Sequence, residues 1–563
     1  MFICMVCEVL QIRLSPTGDV VIDDLHWRSS VCDPSMVFAL TLAGPLSTQR
    51  EHLFDRLCQA GPFDVAVIGG GATGAGIALE AAVRGYSTVL LEAHDLAKGT
   101  SSRATKLVHG GVRYLAQGQW SLVRDALHER QYFFDNAPHL AQPLSFVIPA
   151  YQRWDQLFYG LGLRLYDAMA GQASAGKTRW LSAADVHAAV PTLNDQGLCG
   201  GIRYWDGQFD DARMVLAVVR TAALKGACVL NHCPVTGLIQ HQGQIQGLTC
   251  RDVETGITHE VMARCVINAT GVWSDTIQQW DPAQPGHSGQ KAVQPSQGAH
   301  MVVDRSFWPS SDALLIPRTS DGRVLFAIPW MGATLLGTTD TARTDVPIEP
   351  RPTMAEVDFI LQEIGAYLQR KPRRSDIKSL WAGLRPLVRP SRHANRAVSA
   401  VSREHAIEVS PSGLVSVTGG KWTTYRLMAE QVLSASVKAG LLTAKLGSTV
   451  HLPLVGASRD TGHRLGDAPG YHLYGSEQAV VKSLPGAAHW LAPGVSEAMV
   501  RFAARHEYAR TVEDVLARRA RLLFLDAAAA RQAAPLVGDV LMQELGRDPE
   551  VAAFEALCGQ YLA

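Results

Sequence analysis

Asp64-Val-Ala-Val-Ile68 leads directly into Gly69-Gly-Gly71-Ala-Thr-Gly74, and Ser87-Thr-Val-Leu-Leu91 ends on Glu92. The first run reads as a short apolar strand. A helix of small residues, Ala75 to Arg84, follows the glycines and stops at Gly85, where a C-terminal glycine belongs. The second run is another apolar strand, so the stretch is a complete strand–turn–helix–strand unit. The glycines differ in what they do. Gly69 permits the tight turn, Gly71 lets backbone approach a pyrophosphate, and Gly74 lets helix and strand pack closely. The helix N-terminus offers N–H groups and partial positive charge to phosphates. Glu92 is placed to accept hydrogen bonds from ribose hydroxyls, and an acid there disfavours a 2′-phosphate and hence NADP. The alternative is a glycine-rich turn with no ligand; strand, turn, helix and acid occurring together weigh against it.

Working outward, the 563 residues exceed a single typical domain of about 100–200 residues. Lys plus Arg and Asp plus Glu number 52 each, so no field of one sign covers the molecule, and a nucleic-acid partner is not expected. The ten cysteines are irregularly spaced; Cys4 and Cys7 form one CxxC pair with no second pair to complete a zinc set, so no metal is expected and the thiols are read as reduced and mostly inert. No apolar run approaches the ~20 residues of a membrane helix. Met36–Leu46 is short, lacks a basic leader and makes a poor signal peptide.

Residues 1–60 differ in texture from the rest, and Met36 is an alternative start. Thr48-x-x-Glu51 reads as a capping box opening a helix with Leu53, Phe54 and Leu57. Ala313–Arg318 and Arg323–Pro329 read as a hairpin around Asp321-Gly322, with Ala333–Thr338 as a third strand. Cys265–Gly271 and Leu414–Lys421 return to strand-then-glycine texture, with a helix from Thr423. Tyr151–Tyr166 interleaves aromatics with Arg, as either a packed amphipathic helix or an interfacial one would. Arg518, Arg519 and Arg521 read as a solvated helix face.

FAD and NAD share the dinucleotide unit, and the next segment separates them. Thr100-Ser101-Ser102 precedes Lys106-Leu-Val-His109-Gly-Gly111-Val-Arg113-Tyr114. A hydroxyl-rich loop followed by a His-Gly-Gly turn can run along an extended dinucleotide and reach a flavin ring. Here the sequence resembles the FAD-dependent, quinone-linked glycerol-3-phosphate dehydrogenase family. The resemblance runs from about Phe63 to Leu525 through motifs in order: Ile68–Ile77, Thr100–Ser102, Lys106–Leu115, Asp210-Asp-Ala-Arg213, Asn268-Ala-Thr-Gly271, Gly298-Ala-His300, Gly337-Thr-Thr-Asp340, Gly383-Leu-Arg-Pro-Leu387, Gly419-Gly-Lys-Trp-Thr-Thr-Tyr-Arg426 and His506–Arg519. Residues 1–60 fall outside it, and 440–500 match poorly.

The resemblance implies an α/β, mixed α+β, D-amino-acid-oxidase-like fold: a doubly wound, Rossmann-like FAD domain with an inserted antiparallel-sheet substrate domain and a helical C-terminal domain. The expected division is a partly disordered extension over 1–60, an oxidoreductase domain over 61–440, and the helical domain over 441–563. Within 61–440 the cofactor-binding parts are about 61–200, 215–275 and 380–440, and the substrate sheet is about 275–380. It also implies glycerol 3-phosphate as substrate, membrane quinone as acceptor, and a cytoplasmic location attached peripherally to the inner face of the cytoplasmic membrane; a homodimer is left open.

Hydride would pass from substrate C2 to flavin N5 while a base takes the hydroxyl proton. A phosphate dianion calls for guanidinium and ammonium groups, and Arg113, Arg385, Arg403 and Lys421 are the candidates, with Tyr114 beside Arg113. All but Arg403 sit in Gly- or Pro-rich motifs, read as rigid ligand loops; an ordinary surface ion pair is as good a reading of Arg403. His300, at an expected strand start, would titrate near neutrality and serve as base, with Arg385 and Lys421 as other catalytic candidates. Cofactor-binding candidates are Gly69, Gly71, Gly74, Glu92, Thr100, Ser101, Ser102, Lys106, His109, Gly111, Gly271, Gly420 and Thr423, with Gly420-Lys421 and the helix near Thr423 aimed at flavin O2. Rival readings are a glycerol-3-phosphate oxidase using oxygen, an amine or hydroxyacid oxidase of the same fold, and a non-catalytic flavin-binding module.

Overall fold

The computed structural model describes residues 13–14, 20–21, 46–111, 120–281, 283, 292–388, 405–459 and 462–563. Residues 1–45 form one unit, in which Arg13–Leu14 pairs antiparallel with Val20–Val21. The expectation of disorder there falls largely outside the described residues. Everything from Leu46 onward is the second unit.

That second unit contains an eight-stranded and a ten-stranded sheet. In the first, the short apolar runs become parallel strands in the order Cys228–Leu230, Thr88–Leu91, Phe63–Ile68, Thr258–Asn268, Leu414–Gly419. Val65, Ala66, Val67, Val89, Leu90, Ile267 and Val415 are fully buried, as continuous apolar parallel strands require. His405–Val409 and the hairpin Val235–His241/Gln244–Arg251 add antiparallel edges. Helices Ala72–Val83, Asp211–Leu224 and Tyr425–Lys438 pack beside one another in the same core. The second sheet is mainly antiparallel. Val293–Asp304 pairs with both Ile377–Val388 and Ala333–Gly337, and the expected hairpin forms between Ala313–Ile316 and Leu325–Trp330.

Several expectations need correction. Thr48 does not cap the helix Arg50–Gln59; its backbone N–H donates to Arg505 O at 2.9 Å and its hydroxyl to Ala504 O at 3.3 Å. The helix still packs on the core through Leu53 and Leu57, so residues 46–60 belong to the folded unit. Arg518, Arg519 and Arg521 are buried, not solvated, because each meets a buried carboxylate, Asp95 or Asp211, from a remote part of the chain. Past Lys438 the chain runs mostly without regular structure to Tyr471; the main C-terminal helices are Glu497–His506, Ala527–Leu545 and Val551–Cys558.

His139 sits where the helix Asp211–Leu224 meets the region 456–507. It packs against Gly456 and Gly475, and Arg213 and Arg220 beside it pair with Glu507 and Glu477. Burial, with help from those two arginines, lowers its pKa to about 3. A folded-state pKa below the unfolded value means that the unfolded chain binds the proton first. Stability is therefore full above about pH 6.5 and falls toward pH 3, by up to about 1.4 kcal/mol per pH unit for this group. His139→Gln is expected to reduce the slope of unfolding free energy against pH over that window, measured by urea unfolding; an unchanged slope would assign the acid sensitivity elsewhere.

Candidate active site

The turn after Phe63–Ile68 shows why glycine is required. Gly69 has φ +109°, and its N–H donates to Leu91 O at 2.8 Å. A Cβ on Gly74 would lie 1.9 Å from Gly69 O, so only glycine lets the helix start against the strand. Gly71 is the last residue before the helix, and a Cβ there would meet Ser101 Oγ at 3.0 Å. Ser101 Oγ itself accepts from Ala72 N at 2.9 Å. Glu92 is fixed by Gly70 N–H at 2.6 Å and His94 N–H at 2.8 Å, one to each oxygen, and burial raises its pKa against both bonds. A carboxylate held by backbone donors keeps lone pairs for ribose hydroxyls.

The chain next crosses to the second sheet. Thr100 Oγ1 donates to Leu384 O at 2.5 Å, and a Cβ on Gly383 would lie 2.7 Å from Arg103 O. Trp422 Nε1 donates to Ser101 O at 3.1 Å, and Thr423 Oγ1 lies 3.4 Å from both backbone N and O of His109. The segments 69–74, 92–109, 383–385 and 419–424 therefore meet. Gly111, Gly271 and Gly420 all have positive φ at turns around this region, and Lys421 begins the turn Trp422–Thr424 that precedes the helix Tyr425–Lys438. Ser102 and Lys106 are buried. Lys106 Nζ donates to Asp211 Oδ2 at 2.7 Å and Ser102 O at 2.8 Å, beneath the rings of Trp330, Trp381 and Phe524. Burial lowers its pKa to about 7, opposed by Asp211.

His300 and Arg385 come together through strand register. Ser296 pairs with Arg385, Gly298 with Gly383 and His300 with Trp381, so these residues share one face. Arg385 Nη1 and Nη2 each donate to Thr339 O at 3.1 Å; Nη2 also donates to Thr338 Oγ1 at 3.2 Å, and Asp340 Oδ1 is 3.4 Å from Nη1. A Cβ on Gly298 would lie 2.4 Å from Arg385 Nη2, and one on Gly337 would lie 2.6 Å from His300 Cδ2. Those glycines make room for the two side chains. His300 is buried mid-strand, not at a strand start, with Nε2 3.0 Å from Thr105 Oγ1 and its ring stacked on Trp381 at 5.7 Å. Burial first, then Lys106 and Arg385, push its pKa well below the usual imidazole range, so it does not titrate near neutrality as its sequence context suggested. Arg385 lies within the strand Ile377–Val388 and not on a loop. Arg113, Tyr114 and Arg403 lie outside the described residues. Thr105, Thr338, Thr339, Asp340, Trp381 and Asp211 were not singled out as site residues. Thr338–Asp340 and Asp211 lie inside quoted motifs, but the pairing that brings them to the site does not show in the linear order.

Residues 64–426 match the family model described as FAD dependent oxidoreductase, and 448–552 match the C-terminal domain of alpha-glycerophosphate oxidase. The mitochondrial glycerol-3-phosphate dehydrogenase of Bos taurus is 40% identical over 539 residues, covering 89% of this chain and 73% of the relative. That of Arabidopsis thaliana is 37% identical, covering 94% and 89%. This chain belongs to the FAD-dependent glycerol-3-phosphate dehydrogenase family. The glycerol-3-phosphate dehydrogenase from Bacillus halodurans, solved in complex with FAD, superposes with TM-score 0.73 at 29% identity, covering 91% of this chain and 98% of that one. The family fold, D-amino-acid-oxidase-like with a helical C-terminal domain, is the one observed.

The residues present fit FAD: a helix N-terminus brought over the strand end by the absence of a Cβ at Gly74, an acid oriented by backbone donors, and a turn at 419–424 tied to Ser101 beside that N-terminus. Gly74→Ala is expected to abolish flavin retention, read as loss of flavin absorbance in the purified protein. A yellow Gly74→Ala variant with wild-type flavin content would show that the helix can yield.

Proposed function

We propose that this chain oxidises sn-glycerol 3-phosphate to dihydroxyacetone phosphate and passes the electrons to a membrane quinone. The observation that carries this reading is the shared face of His300 and Arg385 on paired strands, against the loop leaving the dinucleotide cradle. The names of the relatives support it.

Bound FAD supplies the hydride acceptor. The chain's own residues bind, orient and move the proton. Arg385 is held by Thr338, Thr339 and Asp340 yet keeps about a quarter of its side chain exposed, as a planar fork for phosphate would be. From their sequence context, Lys421, Arg113, Tyr114 and Arg403 are the further candidates for holding the phosphate. His300 is neutral and presents a lone pair. The positive charges of Lys106 and Arg385 oppose its protonation in the free chain. A phosphate dianion seated on Arg385 offsets that charge, so substrate binding itself strengthens the base.

Arg385→Ala removes a charge-assisted bond worth roughly 1.5–3 kcal/mol, a loss of about 10- to 150-fold in kcat/KM. The loss should shrink for alcohols lacking phosphate. His300→Ala should cost roughly 100- to 10,000-fold, mainly in kcat, and equally for both substrate types. Anaerobic mixing with glycerol 3-phosphate reports both as the rate of flavin bleaching. Bleaching by His300→Ala at the wild-type rate would make His300 structural and turn attention to Lys421.

An oxygen-reducing form of the same reaction is the second reading, favoured by the match of 448–552 to the alpha-glycerophosphate oxidase C-terminal domain. Stoichiometric peroxide release during turnover would establish it. For the quinone reading the membrane contact is the helix Arg153–Ala170. It packs inward through Leu163 and Tyr166 and leaves Trp154, Phe158, Leu161 and Leu165 exposed by 73, 65, 59 and 44% on one stripe. An exposed apolar stripe of this kind suits an interfacial contact; among the described residues no helix is long and apolar enough to cross a membrane. Replacing Trp154 and Phe158 by Glu should abolish co-sedimentation with anionic liposomes while flavin bleaching by substrate persists. Undiminished co-sedimentation would move the contact to another surface.

A further inference from the structure

The segment from Glu92 to Lys106 carries Glu92, Thr100, Ser101, Ser102 and Lys106, yet its regular structure is limited to the turn Thr100–Ser102. Something else must hold it in place. Asp95, fully buried, accepts from Arg518 Nε and from Arg519 Nη1, and from Arg519 Nη2 at 2.9 Å. Lys98 Nζ donates to both oxygens of Glu513, at 2.6 and 2.7 Å. Arg103 Nη2 donates to Tyr561 Oη at 3.2 Å. Arg521 Nη2 donates to Ser102 O and to Asp211 Oδ1, each at 2.9 Å, and Asp211 is also the partner of Lys106. The segment is thus gripped along its length by residues 513–561.

The grip has a local cause. Asp514–Arg519 is a π-helical turn. Adjacent residues of an α-helix do not face one target. In the wider turn, Arg518 and Arg519 both reach Asp95, and π-turns recur at functional sites. The same turn meets the strand end that backs Glu92: His232 Nε2 lies 3.0 Å from Asp514 Oδ2, His232 N–H donates to His94 O at 2.7 Å, and Cys233 N–H donates to Glu92 O at 2.8 Å. Asp95, His232 and Asp514 have the spacing of metal ligands, but Arg518 and Arg519 already supply the positive charge there.

We infer that the C-terminal domain is a clamp on the cofactor site, with Arg518, Arg519 and Glu513 as positioning residues that set FAD affinity through the 92–106 segment. The inference rests on the FAD-binding reading of that segment. Unclamped, Asp95 and Lys98 would draw the loop toward water, and Ser101 and Glu92 would lose the geometry imposed on them.

The test measures the FAD dissociation constant of the deflavinated full-length chain. Arg519→Lys replaces a two-nitrogen fork by one ammonium and is expected to weaken FAD by about 10- to 100-fold. Glu513→Gln, at the part-exposed end of the network, is expected to weaken it by roughly 3- to 10-fold. The FAD concentration for half-maximal rate should rise with the dissociation constant, while KM for glycerol 3-phosphate does not move. Arg220→Lys is the comparison, because Arg220 pairs with Glu477 across the same boundary without touching 92–106. It should lower Tm and leave FAD affinity at the wild-type value. Folded Arg519→Lys and Glu513→Gln proteins with wild-type FAD affinity overturn the inference, as does an Arg220→Lys variant that loosens FAD equally. If Arg519→Lys does not fold, Glu513→Gln decides alone. A wild-type chain that binds FAD but does not oxidise glycerol 3-phosphate removes the proposed substrate and leaves this comparison standing.

Discussion

The close approach of Gly74 to the carbonyl of Gly69 is the constraint from which the rest of the architecture follows. A side chain there would sit 1.9 Å from that oxygen. Because it is absent, the helix Ala72–Val83 begins directly over the end of the strand Phe63–Ile68, and its N-terminus faces the space above the sheet. The loops after Glu92, after Gly271 and after Gly419 then have a common point to close on. Ser101, Trp422 and Thr423 link the helix start, the loop after Glu92 and the turn after Gly419 by hydrogen bonds that are each modest but together hold these segments at one place.

Holding that arrangement involves an unusual amount of buried charge. Asp95, Asp211, Arg518, Arg519 and Arg521 are nearly or fully inaccessible. Such groups offset their desolvation only when the geometry is good and the remaining polar atoms are partnered. Here the pairs bridge segments remote in sequence, from 95 to 518 and from 211 to 521. An apolar replacement could fill the same volume, but it would not select one orientation of an irregular loop. The directional demand of a guanidinium fork does.

The substrate face uses a different device. His300 and Arg385 are bulky polar side chains on paired strands of a packed sheet, and each is accommodated by a nearby glycine: Gly337 for the imidazole, Gly298 for the guanidinium. The same packing that admits His300 also strips its water, and with two cations nearby keeps it neutral. Burial therefore sets both its position and its protonation state. Burial lowers the pKa of Lys106 too, but there Asp211 limits the shift.

Local sequence determined the elements whose physics is local. The strand–glycine–helix–strand unit from Asp64 to Glu92, the hairpin around Asp321-Gly322 and the mid-chain β texture were all legible, because turn chemistry and apolar runs act over neighbouring residues. The candidate residues His300, Arg385 and Lys421 were legible through motifs. The meeting of His300 with Arg385 was not, since the register between Val293–Asp304 and Ile377–Val388 is set by how the whole sheet closes, not by either strand. Thr48 had every mark of a helix cap, yet its N–H and hydroxyl donate to Arg505 O and Ala504 O, and the helix starts one residue later with Gln49 at the cap position, because long-range contacts fix the backbone there. Arg518, Arg519 and Arg521 had the spacing of a solvated face. Only tertiary structure decided that they are buried, because the carboxylates that make burial tolerable lie at Asp95 and Asp211, hundreds of residues away along the chain.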